Sequence, residues 1–402
     1  MHVLFVHKNF PAQFGHVAAH LVERLGWGCS FVSETEPGTV AGIRKIQYRP
    51  HGGATEQTHY FARTFENAVA HAHGVYEALE PLRGELRPDL VVGHSGFGST
   101  LFLHELWPDV PIVGYFEYFY RPHGSDLDFR PDFPALEEDV LRSRARNAMI
   151  LLDLEECRGG YSPTHWQRSL CPEAYRAKIQ VVHDGVDTQV WHPREKVAAR
   201  ATLGLDPDAR VVTYVSRGLE SMRGFDVFMR AAKRICESDP RAVCLVVGED
   251  RVAYGGDLKR VGGTSFKEHV LAQDDYDLGR IRFLGQIPPA TLAQVLCAGD
   301  VHVYLTVPFV LSWSLLDAMA CGCAVLASDT EPVREVVRHG ENGILVDFFD
   351  HEGLAAAALD VLANPPAYAH LGKAATETVR STYSLDVTVP QLVELYHDLT
   401  AG

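Results

Sequence analysis

What most constrains this chain is a rhythm that occurs twice. A short, nearly continuous apolar run rich in β-branched residues is followed by a segment with helical spacing. The first series holds strand candidates at Val3–Val6, Cys29–Ser33, Leu90–Val92, Ile112–Tyr115 and Gln180–Val182, with a helix pattern from His16 to Leu25. The second holds Val211–Val215, Val243–Val247, Arg282–Leu284, Val301–Leu305 and Ala324–Ala327, with helix patterns at Phe225–Cys236 and Thr291–Cys297. Runs that are continuous rather than alternating belong to strands buried on both faces, so the series predict parallel sheets covered by helices. Between them, Gly185–Lys196 (GVDTQVWHPREK) breaks the pattern with turn and charged residues. The expectation is an α/β chain of two doubly wound domains, residues 1–190 and 191–380. The tail 381–402 holds an amphipathic helix from Ser384 to Leu399, expected to pack back toward the N-terminal domain. At 402 residues there is material for two cores, and two such domains would leave a ligand cleft at the carboxyl ends of their strands.

Charge narrows the partners. The 37 Lys and Arg stand against 52 Asp and Glu, a net −15, which argues against a nucleic-acid binder. The eight cysteines (29, 157, 171, 236, 244, 297, 321 and 323) include no C-x-x-C pair and sit mostly in apolar runs, so they read as reduced core thiols. The start, MHVLFVHKNF, lacks the layout of a signal peptide, and no stretch approaches the apolar length of a membrane span. A cytoplasmic protein is expected, with reversible peripheral membrane contact left open.

Several motifs invite a chemical reading. Gly96-Phe97-Gly98 lacks the full spacing of a dinucleotide loop. Gly93-His94-Ser95 resembles the start of a nucleophile elbow, which would make Ser95 the nucleophile of a hydrolase. Phe97, however, stands where that tight turn needs a small residue. Asp126-Leu127-Asp128 is a D-x-D in a polar stretch and reads as a solvated loop, while His71 and His73, two apart on a helix, face different sides and cannot share a metal. The aromatics of Gly114–Gly124 (GYFEYFYRPHG), with Glu117 and Tyr118, either stack on an acceptor or pack the domain interior.

The stronger signal lies in the second half. Arg217 ends a strand and Arg223 precedes a helix pattern, and two forked guanidinium groups at such a junction suit a diphosphate. Leu311-Ser312-Trp313-Ser314 then opens an apolar helix, with serine as N-cap and backbone N–H groups that attract phosphate oxygens. Asp317 lies in that helix's first turns, where a carboxylate accepts from ribose hydroxyls or compensates the helix dipole.

With VSRGLESMRGFDVF, LVVGED, IRFLGQI and LLDAMACGCAVLASDTEPVREVVRHGENGILV, together with PDLVVGHS, GYSPTHWQ and VVHDGVDTQVWHP, the chain resembles the retaining glycosyltransferases of family 4. The resemblance is collinear over most of the sequence. It implies a GT-B fold: two facing Rossmann-like domains with an interdomain cleft, a nucleotide-diphosphate-sugar donor as co-substrate and a hydroxyl acceptor. It implies no further cofactor and no essential metal. By position it puts Arg217 and Arg223 on the donor diphosphate. Gln286 and Ile287 fall beside the base, Asp317 on the ribose, and Leu311 to Ser314 around phosphate and sugar. Glu249, in LVVGED, joins the donor site, His94 lies near the reacting sugar, and Gly15 belongs to a flexible loop after the first strand. Glu117 and Tyr118 are the acceptor-side candidates. The implied chemistry is front-side attack with retention, the departing phosphate receiving the acceptor proton.

The sequence departs from the family pattern where Phe309 replaces the first acid of a Glu-x7-Glu motif and Asp317 shortens the second. Arg223 stands where lysine is common. Two other readings therefore stay open beside transfer, a nucleotide-sugar epimerase of the same fold and a non-catalytic nucleotide-sugar-binding subunit.

Overall fold

A computed structural model describes residues 1–263 and 265–401. The chain divides into two units, Met1–Gly185 with Leu385–Gly402, and Val186–Ser384. The first carries strands β1 (His2–Val6), β2 (Gly28–Ser33), β3 (Ile43–Gln47), β4 (Leu90–His94), β5 (Ile112–Tyr115), β6 (Gly159–Ser162) and β7 (Ile179–Val181). They form one parallel sheet in the order β3-β2-β1-β4-β5-β6-β7. The second carries β8 (Arg210–Gly218), β9 (Ala242–Glu249), β10 (Ile281–Gly285), β11 (Val301–Tyr304), β12 (Ala324–Ser328) and β13 (Ile344–Val346), parallel in the order β10-β9-β8-β11-β12-β13. The expected doubly wound α/β class is what forms, in both units.

The β1 sequence shows why. Val3 and Phe5 face one cluster, with Phe31, Val92 and the helix Gly15–Leu25. Leu4 and Val6 face the other, with Val32, Val91, Val75 and Leu79. All four are fully buried, so the strand has no polar face to show in its sequence. The terminal helix, Leu385–Ala401, completes the first face: Val389, Leu392, Leu395 and Tyr396 pack into the same cluster as β1. The last residues of the chain thus help to close the core begun by the first.

In each sheet the strand order reverses beside the first strand of the unit, between β1 and β4 and between β8 and β11. Ligands of such sheets bind at the carboxyl ends of the strands flanking that reversal, where loops diverge to opposite faces. That place holds His7 and His94 in the first unit and Arg217, Arg223 and Thr306 in the second.

Leu392 tests the role of the terminal helix. It is 2% exposed, and Leu392→Ala should destabilise the first unit by about 2–4 kcal/mol, read as a lower urea midpoint with unchanged slope. A midpoint within error of wild type would show that the helix only rests on the sheet.

Candidate functional site

In the second unit, the end of β8 leads into the turn Ser221–Arg223 and then the helix Phe225–Ser238. Gly224, between turn and helix, has a left-handed backbone (φ +61°) and lies where a Cβ would sit 2.8 Å from Leu305. Both facts require glycine, and this tight link folds Arg223 back toward β11. The Arg223 guanidinium is 5% exposed. Its Nη1 donates to Thr306 Oγ1 at 2.7 Å, to the Val310 carbonyl at 3.1 Å and to Tyr304 Oη at 3.5 Å. The rings of Tyr254 and Phe309 lie 5.6 and 5.7 Å from its centre. Every one of these hydrogen-bonding partners is neutral, and no described carboxylate makes a direct ion pair with Arg223, although Glu220 is near enough to feel its charge. Burying an unpaired cation is costly, so a charge in this setting marks a place for an anion.

Tyr304 Oη also accepts from the Ser312 N–H at 2.8 Å. One hydroxyl therefore joins the arginine to the start of the helix Trp313–Ala320, whose N-cap is Ser312 and whose Ser314 Oγ reaches the Val215 carbonyl at 3.4 Å. Leu311 is buried and Trp313 is 46% exposed. Arg217, exposed at the end of β8, has no hydrogen-bond or ion-pair partner among the described residues. Asp317 is partly exposed, makes no side-chain hydrogen bond there, and desolvation holds its carboxyl well above the usual range. Glu249 ends β9 and is paired with Arg251. Gln286 and Ile287 follow β10, the edge strand, with Gln286 exposed.

Sequence reasoning missed the residues that hold this arrangement. Glu220 Oε2 accepts from the N–H groups of Ala253 and Tyr254 at 2.5 and 2.9 Å. Asp257 accepts from the Ser221 N–H and hydroxyl at 2.7 and 2.5 Å. The loop after β9 is thereby fixed on the Ser221–Arg223 turn, which sets the Tyr254 ring against Phe309 at 5.1 Å. These residues are distant in sequence and have no spacing that would announce them.

In the first unit, His94 ends β4 and is buried; its Nδ1 accepts from the Gly96 N–H at 2.9 Å. The proton then resides on Nε2, which faces Glu117 Oε2 at 3.4 Å. Glu117 is also held by Gln13, 3.1 Å from Oε1, and its carbonyl by Gln167 at 2.5 Å. His7, another residue the sequence did not single out, follows β1 with its ring 5.0 Å from that of His94. Its Nδ1 accepts from Asn9 N–H at 2.8 Å, leaving a buried Nε2 without a hydrogen-bond partner. Burial and the neighbouring His94 keep His7 neutral by lowering its pKa well below the usual imidazole value. Gly15 begins the helix Gly15–Leu25 in ordinary helical geometry, where a Cβ would meet Pro11 at 2.9 Å.

Two readings are corrected, and an open choice is narrowed. Ser95 is 2% exposed and donates to the Tyr115 carbonyl at 3.2 Å, so it is no exposed nucleophile and the hydrolase idea fails. The D-x-D is not a solvated loop: it forms the short helix Asp126–Phe129, with Asp128 in a capping box and Asp126 accepting from Tyr118 Oη at 2.5 Å. Tyr118 is 7% exposed with its hydroxyl so committed, and Phe116 and Phe119 are buried too, so those aromatics pack the interior.

Comparison with known proteins agrees with this geometry. Residues 25–191 match the family model described as glycosyl transferase family 4 group, and residues 195–378 the one described as glycosyl transferases group 1. The chain belongs to the family 4 glycosyltransferases of GT-B fold. It is 30% identical over 225 residues to a D-inositol 3-phosphate glycosyltransferase of Segniliparus rotundus, a match covering 56% of this chain and 48% of that one. It is 26% identical over 221 residues to an N-acetyl-alpha-D-glucosaminyl L-malate synthase of Bacillus anthracis, covering 55% and 54%. The chain spans about half the length of the curated relatives it matches. Among solved structures, sucrose-phosphate synthase from Thermosynechococcus elongatus superposes with a TM-score of 0.78 at 20% identity, covering 100% of this chain and 99% of that one. HepE of Anabaena in complex with UDP-glucose gives 0.72 at 15%, covering 99% and 100%. At such identities these two likenesses show the fold alone. No described helix is long and apolar enough to cross a membrane.

Glu220 gives a pH test of the site's frame. Burial raises its carboxyl from 4.5 to about 7, so the neutral form is favoured in the folded state. That contribution to stability is fully present below the unfolded value and is lost as pH rises through 7. Glu220→Gln, which keeps an oxygen for Ala253 and Tyr254, should remove the pH dependence. The unfolding free energy of wild type from urea titration, relative to the variant, should fall between pH 5 and 8 by an amount on the order of 3 kcal/mol. Parallel profiles would show that Glu220 is already ionised in the fold.

Proposed function

We propose that this chain is a retaining glycosyltransferase that moves a sugar from a nucleoside diphosphate to a hydroxyl acceptor without a metal or further cofactor. The observation that supports it most is Arg223, a buried guanidinium with only neutral partners, tied through one tyrosine hydroxyl to the start of a helix. In the proposed reaction the bond from the anomeric carbon to the β-phosphate breaks, and negative charge grows on the phosphate. Arg223, Arg217 and the Trp313–Ala320 helix start stabilise that charge, and a site of fixed dipoles does so without reorganising. Asp317 accepts from the ribose hydroxyls, which relieves its desolvation, while Gln286 and Ile287 flank the base. Glu249, already paired with Arg251, acts at the margin of the donor site.

In the first unit, the buried His94 ring turns its Nε2 to the Glu117 carboxylate, 3.4 Å away. That arrangement suits a group that positions the donor sugar or steadies positive character at its carbon; it does not suit a nucleophile. The acceptor hydroxyl loses its proton to the departing phosphate. Phe309 favours a second reading, binding without turnover, because it puts a ring where the family pattern has an acid. A panel of UDP-, GDP-, ADP- and TDP-sugars separates the two: released nucleotide with product of retained configuration supports transfer, whereas a thermal shift without release supports the binding subunit.

Arg217→Ala provides a clean test, because that side chain has no described partner to disturb. Nucleoside diphosphate affinity should fall about tenfold to a hundredfold, measured by calorimetry, with the unfolding midpoint unchanged. Unchanged affinity in both Arg217→Ala and Arg223→Lys would refute the diphosphate site. Glu117→Gln should lower kcat by about tenfold or more while donor affinity stays within about twofold, since it acts on His94 and not on the diphosphate. Turnover equal to wild type would remove Glu117 from the mechanism.

A further inference from the structure

The first unit carries a cluster that the transfer chemistry does not use. His73 and Glu77 lie one turn apart on the helix Arg63–Leu79, so they project from the same face. His51, on the loop after β3, joins them: its ring lies 4.3 Å from that of His73, and its Nδ1 is 2.9 Å from Glu77 Oε2. His73 Nε2 is 3.7 Å from Glu77 Oε1. One ligand atom from each of the three residues falls within 4.8 Å of the other two.

The loop is fastened to the helix independently of these side chains. His51 N–H donates to the Ala70 carbonyl at 2.9 Å, and Ala54 N–H to Asn67 Oδ1 at 2.8 Å. Gly74 lies against the Arg49 carbonyl, which occupies the place a Cβ would take. The backbone positions of the three residues are therefore set before any ion arrives. Only side-chain rotations are needed to bring the three atoms to about 2.0–2.2 Å from a common centre. All three side chains are about half exposed, which gives an ion a route in and leaves further positions for water.

The geometry points to a divalent transition-metal site formed by His51, His73 and Glu77. Two imidazoles and one carboxylate suit Zn²⁺ and its neighbours Co²⁺, Ni²⁺ and Cu²⁺ rather than Mg²⁺ or Ca²⁺, which prefer oxygen. The bound ion clamps the loop to the helix and so stabilises the first unit. Sequence spacing alone conceals the set: the nearest histidine to His73 in sequence, His71, lies on another side of the helix, where it hydrogen-bonds Tyr48.

The test uses the full chain, stripped with a chelator and titrated calorimetrically with Zn²⁺. One site with a Kd on the order of 1–10 μM is expected, with no heat from Mg²⁺. Co²⁺ should give the visible absorption of a low-symmetry site with nitrogen ligands. His51→Ala, His73→Ala and Glu77→Gln should each weaken Zn²⁺ binding by about tenfold or more, while His123→Ala, elsewhere on the surface, leaves it unchanged. Saturating Zn²⁺ should raise the unfolding midpoint of wild type by about 3 °C or more and leave that of the three variants unmoved. Because the side chains are exposed, their loss spares the core, and circular dichroism confirms it. A wild-type Kd weaker than about 1 mM, or equal binding by all three variants, would overturn the assignment.

Discussion

The second unit is arranged around a positive charge that no carboxylate of the described residues pairs with directly; Glu220 acts on it only from a distance. Arg223 is buried among a threonine hydroxyl, a backbone carbonyl, a tyrosine hydroxyl and two aromatic faces. Each contact offsets part of the desolvation cost, and none cancels the charge. The loop from Thr306 to Ser312 takes its shape from these contacts, since the carbonyl of Val310 and the hydroxyl of Thr306 both turn toward the guanidinium. Remove the cation and the loop loses two hydrogen bonds at once. Exchange it for a paired one and the anion site disappears.

The two units meet the same topological condition with different chemistry. Each sheet reverses its order beside its first strand, and each places its distinctive polar groups just past that point. The second unit puts unneutralised guanidinium there. The first puts two imidazoles there, each with Nδ1 capped by a backbone N–H and with Nε2 buried. Because the cap is a backbone group two residues downstream, the tautomer follows from the local turn and does not wait on a substrate. Neither Nε2 makes a hydrogen bond among the described residues, but that of His94 lies 3.4 Å from the Glu117 carboxylate, which makes the pair asymmetric.

Most of the strands that were legible in the sequence are buried on both faces; the edge strands β7 and β10 were legible from short apolar runs alone. Three were not. β3 (IRKIQ) is an edge strand with mostly polar residues, and β13 (ILV) is an edge of three residues. β6 (GGYS) lies inside the sheet, yet its two glycines erase the apolar signal. Gly160 sits against the Gly114 carbonyl and the Phe116 ring, so no side chain fits, and the residue that packing demands is one that strand propensity disfavours. The site divides the same way. Arg217, Arg223 and Ser312 were legible because local spacing put them at strand ends and a helix start. Tyr254, Glu220, His7 and the His51–Glu77 pair were not, because only tertiary folding brings them to their partners.

Phe309 follows from the same electrostatics. Its ring lies 5.7 Å from the Arg223 guanidinium and against Tyr254. A glutamate at that position would have a flexible carboxylate within reach of the buried cation. It would pair with Arg223 unless a ligand held it elsewhere, and a paired arginine competes poorly for phosphate. The ring avoids that competition: it contributes its electron-rich face and cannot take the place of an anion. An arginine presents more donors than a lysine and spreads its charge over a plane that two rings can cover. Arg223 and Phe309 thus read as a matched pair, in which the loss of an acid from the loop keeps the cation available.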